Sequence, residues 1–154
     1  MTKDKQTIIL ISCASKKLAT KMPAKDLYNS ILFKSSLEYA KSIKHDKIYI
    51  LSAKHHLLDL ETQIEPYDVT LSYISPKSRK SNLIILNNEQ KKLWGNTVIS
   101  QLNKVSDIEN DIFIILAGRE YLEPLEKSIM NLDNKLRGLR YGERVKWLKK
   151  NKSK

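Results

Sequence analysis

Three short runs of apolar residues predict buried β-strands. The runs are Ile8–Ile11, Ile48–Leu51 and Ile112–Leu116, and polar residues bound each of them. A continuous apolar run is typical of a strand covered on both faces, as in a parallel sheet flanked by helices. The pattern therefore predicts three strands at the centre of an α/β sheet.

Apolar residues at helical spacing predict four helices between and after these strands. The first runs from Asp26 to about Ile43. The second begins after Asn87, where Gln90 completes the spacing of a capping box. The third helix follows the strand Ile112–Leu116, and Pro124 is tolerated in it because it falls near the first turn. Its apolar stripe comprises Tyr121, Leu125, Ile129 and Leu132. The fourth helix covers residues 142–149.

The alternation of strands and helices predicts an α/β fold. We expect a small three-layer domain with a short, mainly parallel sheet, right-handed crossovers and helices on both faces. A chain of 154 residues fits one domain over residues 1–154, with a basic tail from about residue 149 that frays. Residues 53–86 are too many for a simple loop, so they have structure of their own. Within them, residues 81–86 form either a helix turn or an extra edge strand.

The chain is strongly basic. It has 28 Lys and Arg against 17 Asp and Glu, a formal net charge of +11. Such a charge attracts polyanions and predicts nucleic acid as the partner, DNA in preference to RNA. The alternative is a lysine-rich composition unrelated to binding. The excess is greatest near the C-terminus, where four residues are candidates for nucleic-acid contact: Arg137, Arg140, Arg144 and Lys146.

Several classes of protein and site are disfavoured. Cys13 is the only cysteine, so an intrachain disulfide is impossible, which suits a reducing cytoplasm. No run approaches the roughly 20 apolar residues of a membrane span or resembles a signal peptide. Glycine-rich nucleotide motifs and metal-ligand spacings are both missing. We expect a cytoplasmic protein with no membrane partner, no obligate protein partner, no cofactor and no metal.

Polar segments follow each predicted strand. They are Ser12–Lys17, Ser52–His56 and Ala117–Glu120, and each pairs small residues with cations. Ligands of open parallel sheets bind beyond the carboxyl ends of the strands, so these segments predict a site for phosphate or another anion. The alternative is that they only cap and solvate their loops. The candidate phosphate- or substrate-binding residues are Ser12, Cys13, Ser15, Lys16, Lys17, Ser52, Lys54, Gly118 and Arg119.

A stiff acidic segment follows the second polar segment, Ser52–His56. Pro66 holds Glu65 extended, so Glu65 and Asp68 are presented at fixed positions on either side of Tyr67, another candidate substrate-binding residue. A carboxylate that faces the cationic site would stay ionised. The alternative is structural, with Asp68 capping a turn and Tyr67 packed in the core.

Histidine and cysteine supply the other candidates for chemistry. His55 and His56 are adjacent in the sequence. Because neighbouring side chains on an extended chain face opposite ways, only one of the two is expected to reach a site. We favour His55 as the acid–base candidate. Cys13 is interpreted as a small buried side chain rather than a nucleophile, because no activating base can be placed beside it.

Six segments together resemble a known family of bacterial and phage proteins without an assigned function. They are LISCASKK, AKDLYNSILF, YILSAKHHLL, IEPYDVTL, LAGREYLEPL and GLRYGERVKWL, and they span nearly the whole chain. More distantly, the chain is similar to the YaaA peroxide-stress proteins, which are associated with DNA binding. His56 stands where the family usually has glycine, which leaves a positive φ there open. Residues 75–88 also look longer than usual.

The resemblance implies a domain linked to nucleic acid or modified bases, with nucleobase excision by an N-glycosidase as the leading hypothesis. Such a reaction needs a carboxylate, for which Asp68 is the first candidate and Glu65 or Glu120 the substitutes, and a proton donor, for which His55 is the candidate. Tyr67 and Tyr28 are candidates to stack on an extruded base. The alternatives are a non-catalytic DNA-binding module and an enzyme of free nucleotides or nucleosides.

Overall fold

A computed structural model of the protein describes residues 4–153 and confirms the mixed α/β fold. The strands are β1 (Thr7–Ser12), β2 (Met22–Pro23), β3 (Lys47–Ser52), β4 (His56–Asp59), β5 (Gln63–Ile64), β6 (Val69–Thr70), β7 (Ile84–Ile85), β8 (Ile112–Leu116) and β9 (Leu132–Asp133). The α-helices are α1 (Ala24–Leu27), α2 (Ile31–Ser42), α3 (Asn88–Val105), α4 (Arg119–Glu126) and α5 (Tyr141–Asn151), and a 3₁₀ turn covers Pro76–Ser78.

The main sheet has five strands in the order β4-β3-β1-β8-β9. The central strand β1 pairs in parallel with both β3 and β8, and β9 is parallel to β8. Only β4, at one edge, runs antiparallel, to β3. The three predicted apolar runs are thus the three adjacent inner strands, and the mainly parallel sheet is confirmed.

Both faces of the sheet are covered. Alternate residues of β1 enter two separate cores, with Ile8 and Leu10 on one face and Ile9 and Ile11 on the other, each at most 1% exposed. Residues of α3 and α4 fill the first core, and residues of α1, α2 and α5 fill the second. Burial on both faces explains why these strands are continuously apolar rather than alternating.

The prediction of one helix from Asp26 to Ile43 is wrong. The chain forms α1 and α2 with a break between them, because Tyr28 is extended and its backbone bridges to Lys17. Ser30 then starts α2, its Oγ accepting from Phe33 N at 3.0 Å. Such a cap satisfies an N–H group that the helix itself leaves unpaired.

The predicted third helix is also shorter than expected. It ends at Glu126, and Leu132 lies in β9, where it pairs with Phe113. Pro124 falls in the second turn of α4, against α3. A Cβ on Gly95 would lie 2.6 Å from Pro124 O, so only glycine allows α3 and α4 to approach this closely. The capping box at Asn87, by contrast, is present as predicted.

Residues 53–86 carry the short strands β4 to β7 and the 3₁₀ turn. Of the two alternatives for residues 81–86, the strand is confirmed, since β7 pairs in parallel with β6 in a separate two-stranded sheet. At the other end of the chain, residues 149–151 form the last turn of α5. Beyond that helix, the backbone N–H of Ser153 donates to Ser42 Oγ at 2.9 Å.

His56 has a φ of 62°, and it is the only non-glycine residue with positive φ among residues 4–153. The left-handed conformation starts β4 directly after the turn from β3, which is why glycine suits this position. A side chain in this conformation costs roughly 1–2 kcal/mol. The backbone therefore keeps the geometry expected of glycine while carrying a histidine.

We expect His56→Gly to be more stable than His56→Ala by about 0.5–1 kcal/mol, because relief of strain outweighs the extra chain entropy of glycine. Urea unfolding of both variants measures the difference. The matched control is Lys54, which lies in the same turn without a positive φ. There alanine should be at least as stable as glycine, and the same order at both positions would contradict this account.

Candidate functional site

The loop after β1 is held firmly at the carboxyl edge of the sheet. The backbone N–H of Cys13 donates to Leu51 O at 3.0 Å, one residue beyond the end of β1. Farther along, the backbone N–H of Asn29 donates to Lys16 O at 2.8 Å. These bonds fix the loop between β3 and the segment that joins α1 to α2. Ser15 and Lys16 remain exposed at the edge.

A cleft of about 440 Å³, the central cleft, lies at this edge. Its lining comes from five segments: the loop after β1, the start of α2, the loop after β6, the start of α4 and the start of α5. The chain leaves β1 and β8 here toward helices on opposite faces of the sheet. Ligands of open α/β sheets bind at this kind of position. Five predicted substrate-binding residues line it: Ser12, Cys13, Ser15, Lys16 and Gly118.

Two helix N-termini contribute positive potential to the central cleft. Ser30 caps α2 and Gly118 caps α4, and both residues line the cleft. The first N–H groups of a helix lack partners within it, and the helix dipole is positive at that end. Together they favour a phosphate or another anion. A serine directly before an apolar run marks an N-cap, and that signal could have located Ser30 from sequence.

Arg144 adds a full positive charge beside the N-terminus of α4. Its Nε donates to Leu139 O at 2.8 Å, which anchors the guanidinium. Its Nη1 lies 3.2 Å from the position of a Cβ on Gly118, so a larger residue there would crowd Arg144. Gly118 and Arg144, predicted for different roles, therefore belong to one surface of the central cleft.

Another part of the lining is apolar. Leu32, Phe33, Ile74 and Tyr141 line the central cleft. Tyr141 is 54% exposed, and its Oη accepts from Leu32 N at 3.3 Å. The central cleft therefore offers apolar and cationic surface to the same ligand. Sequence reasoning missed these four residues because it looked for site residues in the loops after the strands, although Leu32, Phe33 and Tyr141 lie in segments that carry the family resemblance.

Glu120 is the only predicted catalytic residue that lines the central cleft. Its Oε2 accepts from Lys91 Nζ at 2.8 Å, and the side chains of both residues are partly buried. The partner comes from α3, far from the motifs of the sequence analysis.

Asp68 lies beside the central cleft rather than in it. It lines a smaller cavity of about 80 Å³, the side cavity, together with Lys17 and Lys80. Ser15 and Ile74 line both the side cavity and the central cleft. Asp68 Oδ1 is 3.6 Å from Lys80 Nζ, and the Asp68 side chain is 41% exposed. Asp68 thus meets cations, as predicted, but it is not a buried charge.

The other two acid–base candidates lie outside both cavities. Glu65 is exposed and lines neither. His55 packs against Tyr67, with ring centroids 5.4 Å apart, and its backbone N–H donates to Ser52 Oγ at 3.0 Å. Burial, and then the charge of Lys54, lower the pKa of His55, so its ring is mainly neutral at pH 7. His55 and Asp68 therefore do not line one cleft.

The segment after β3 misses the central cleft because it turns back at once. Its residues form a tight turn into β4, which pairs antiparallel with β3. Lys54 is exposed on this turn and lines neither the central cleft nor the side cavity. Two of the three polar segments therefore converge, and the third does not.

Tyr67 and Ser52 form a buried cluster with Tyr28 instead of contacting substrate. Tyr67 Oη lies 2.7 Å from Ser52 Oγ and 2.6 Å from Tyr28 Oη. Burial raises the pKa of both tyrosines, so they stay neutral. Tyr28 is 1% and Tyr67 7% exposed, which leaves neither ring free to stack on a base.

Cys13 lines the central cleft without a base to activate it. Its Sγ is 3.4 Å from Tyr121 Oη, which also lies 3.5 Å from Thr70 Oγ1. Burial raises the pKa of Tyr121, so the phenol stays protonated and cannot accept the thiol proton at neutral pH. The interpretation of Cys13 as a packed side chain agrees with this geometry.

Two of the four predicted nucleic-acid-binding residues, Arg137 and Arg144, lie at or beside the central cleft. A flanking cleft of about 300 Å³ is lined by Arg119, Arg137 and Arg144, the last shared with the central cleft. Arg119 pairs with Glu123 and Arg137 with Glu126. The remaining two, Arg140 and Lys146, are exposed at the start and in the middle of α5.

A further depression of about 400 Å³ lies at the opposite edge of the sheet, around Gln6 and Asp111. The Asp111 carboxylate in this depression already has hydrogen-bond donors, because it accepts from Gln6 N at 2.9 Å and from Asp107 N at 2.8 Å. This edge carries the amino ends of the parallel strands, away from the usual ligand position. We therefore take the central cleft as the candidate site.

We expect Tyr67→Phe to lower the free energy of unfolding by about 1–3 kcal/mol, because it removes the buried hydrogen bonds of Tyr67 Oη to Ser52 Oγ and Tyr28 Oη. Tyr73→Phe is the control, since Tyr73 is 70% exposed, and its effect should stay within about 0.5 kcal/mol. Urea unfolding measures both. Equal, small effects would show that the buried hydroxyl cluster does not stabilise the fold.

Among residues 4–153, no three His, Cys, Asp or Glu side chains are grouped as a metal site requires. Within the same residues, no helix has the length and apolar character to cross a membrane. No curated protein matches the chain. A family of unknown function, DUF6884, matches the chain over residues 8–150. Because this match spans nearly the whole sequence, the chain belongs to the family of unknown function DUF6884.

Proposed function

We propose that the protein is a nucleic-acid-associated N-glycosidase that binds one nucleotide unit in the central cleft. The observation that carries the proposal is the combination, in one cleft, of an apolar surface with two helix N-termini and an arginine. A nucleotide has the same combination, a flat base joined to an anionic phosphate. The volume, about 440 Å³, lies within the range of small-ligand sites, roughly 300–1,000 Å³.

The phosphate would lie between the N-termini of α2 and α4. Arg144 supplies a charged, forked donor there, and Lys16 supplies a second charge from the loop after β1. The positive ends of the two helix dipoles would add to the attraction for the phosphate. Gly118 leaves room for Arg144 beside the helix, which explains the glycine before α4.

The base would lie against the apolar part of the cleft. Tyr141 is the exposed aromatic ring of this lining, and Leu32 and Ile74 are beside it in the same cleft. Stacking on an aromatic ring is how proteins hold a base taken out of a duplex. In this proposal Tyr141 replaces the buried Tyr67 and Tyr28 as the stacking residue.

Glu120 is the carboxylate of the proposed reaction. Hydrolysis of an N-glycosidic bond passes through a cation at C1′, which a nearby carboxylate stabilises. Water adds to C1′ and gives a proton to Glu120, while the base leaves with the electrons of the broken bond. The base gains its proton from solvent, which reaches the cleft at the exposed residues Ser15 and Lys16.

The net charge of +11 supports a polymer rather than a free nucleotide as substrate. The flanking cleft shares Arg144 with the central cleft, so Arg119 and Arg137 lie where neighbouring phosphates of the same strand would pass. Cations that neutralise phosphates make binding strongly dependent on salt.

One observation favours a non-catalytic nucleic-acid-binding module instead. Both candidate carboxylates are paired with lysine, Glu120 with Lys91 and Asp68 with Lys80, so neither is free to accept a proton without losing an ion pair. A binding module would hold nucleic acid without releasing any base. Release of a base from a duplex separates the N-glycosidase from the binding module.

We expect the protein to release a base from a duplex with uracil or a hypermodified base, detected as strand breaks after alkali. Glu120→Gln should slow release about 10²–10⁴-fold, because it removes the proton-accepting carboxylate. Asp68→Asn should retain most activity, because Asp68 lies in the side cavity. The matched control is Glu61→Gln, since Glu61 also pairs with a lysine, Lys25, at 2.7 Å.

Salt-dependent binding without base release from any substrate would contradict the N-glycosidase and support the binding module. Loss of release in Asp68→Asn with full activity in Glu120→Gln would show that the carboxylate is assigned wrongly. Melting temperatures of all variants establish that each one is folded.

A further inference from the structure

Lys17 differs in its surroundings from the other lysines at the central cleft and the side cavity. Its Nζ lies 4.2 Å from the centroid of the Tyr67 ring and 5.8 Å from that of Tyr28. The same ammonium donates to Ser15 O at 3.3 Å. The side chain therefore lies on the buried tyrosine cluster, with its amine at the wall of the side cavity.

Burial lowers the pKa of Lys17, and the charge of Lys80 acts in the same direction. Cys13 and Asp68 oppose this effect by raising the pKa, but burial is the largest contribution. A lysine with a lowered pKa is neutral, and so nucleophilic, in a larger fraction of molecules. Burial in a hydrophobic pocket beside another cation is a known way to activate an amine.

We propose that Lys17 is a nucleophilic amine that forms an imine with the aldehyde of a sugar held in the central cleft. Two contacts support the geometry. The side cavity shares Ser15 and Ile74 with the central cleft, so the amine lies in a cavity that adjoins the cleft. Asp68 lines the same cavity and would take the proton that the ammonium must lose, giving up its ion pair with Lys80.

The choice of a sugar aldehyde rests on the proposed function. Removal of a base leaves a sugar whose ring opens to an aldehyde at C1′. The neutral amine of Lys17 adds to this carbon, and the carbonyl electrons move to oxygen, which takes up a proton. Loss of water then gives the imine, so one aldehyde and one amine become one imine and one water.

The neighbouring lysines lack these features. Lys16 is exposed at the edge of the central cleft. Lys80 is 72% exposed on its side chain and pairs with Asp68. Their greater exposure makes both of them matched controls for the partly buried Lys17.

The test uses the full chain with 2-deoxyribose 5-phosphate and sodium cyanoborohydride, which reduces an imine to a stable secondary amine. Intact mass and peptide mapping locate the adduct. At pH 7 we expect Lys17 to be modified faster than Lys16, because burial lowers the pKa of Lys17 and enlarges its neutral fraction. Lys17→Arg should abolish this fast modification, and Lys80→Arg should keep it.

Modification at another lysine, or at equal rates on all lysines, would overturn the inference. The peptide map of the unaltered protein needs no variant, so the result stands even where Lys17→Arg fails to fold. Because the sugar is added directly, failure of trapping with normal base release removes only the role of Lys17. Trapping without base release contradicts only the N-glycosidase.

Discussion

The parallel pairing of β1 with both β3 and β8 is the constraint on which the rest of the structure depends. Four consecutive residues of β1 are almost completely buried, and they feed two cores on opposite faces of the sheet. Both neighbours are parallel, so the carboxyl ends of all three strands meet at one edge. The central cleft exists because the chain leaves that edge from β1 and β8 toward different faces.

The buried hydroxyl cluster of Tyr67, Ser52 and Tyr28 connects this edge of the sheet to the side cavity. Tyr67 links the end of β3, through Ser52, to the break between α1 and α2, through Tyr28. Lys17 then lies on the Tyr67 ring at the wall of the side cavity. Tyr67, Ser52 and Tyr28, which the sequence suggested as substrate contacts, are therefore buried, and many of the residues that line the central cleft come from helix starts instead.

Most of the fold could be predicted because its signals are local. Continuous apolar runs identified β1, β3 and β8, and the capping box at Asn87 identified the start of α3. The misses have tertiary causes. Tyr28 breaks a helical pattern because it packs and bonds in the core, and Leu132 leaves a helical pattern because β8 offers it a strand partner.

The position of the central cleft could be predicted from the sequence, but most of the residues that line it could not. The carboxyl ends of the strands pointed to Ser12, Ser15, Lys16 and Gly118, and these residues line the central cleft. Sequence spacing could not show that the chain after β3 turns back into β4, which removes His55 and Lys54 from the cleft. Nor could it show that Tyr141 and Arg144, which follow more than 20 residues after Gly118, return to the start of α4.

The central claim is that the cleft at the ends of β1 and β8 binds a nucleotide unit. Titration of the ¹⁵N-labelled protein with a deoxynucleoside monophosphate, followed by backbone amide NMR shifts, tests it most directly. The account predicts saturable shifts at Ser15, Lys16, Gly118 and Tyr121. Shifts confined to the opposite edge around Gln6 and Asp111, or no saturable shifts at all, would contradict it.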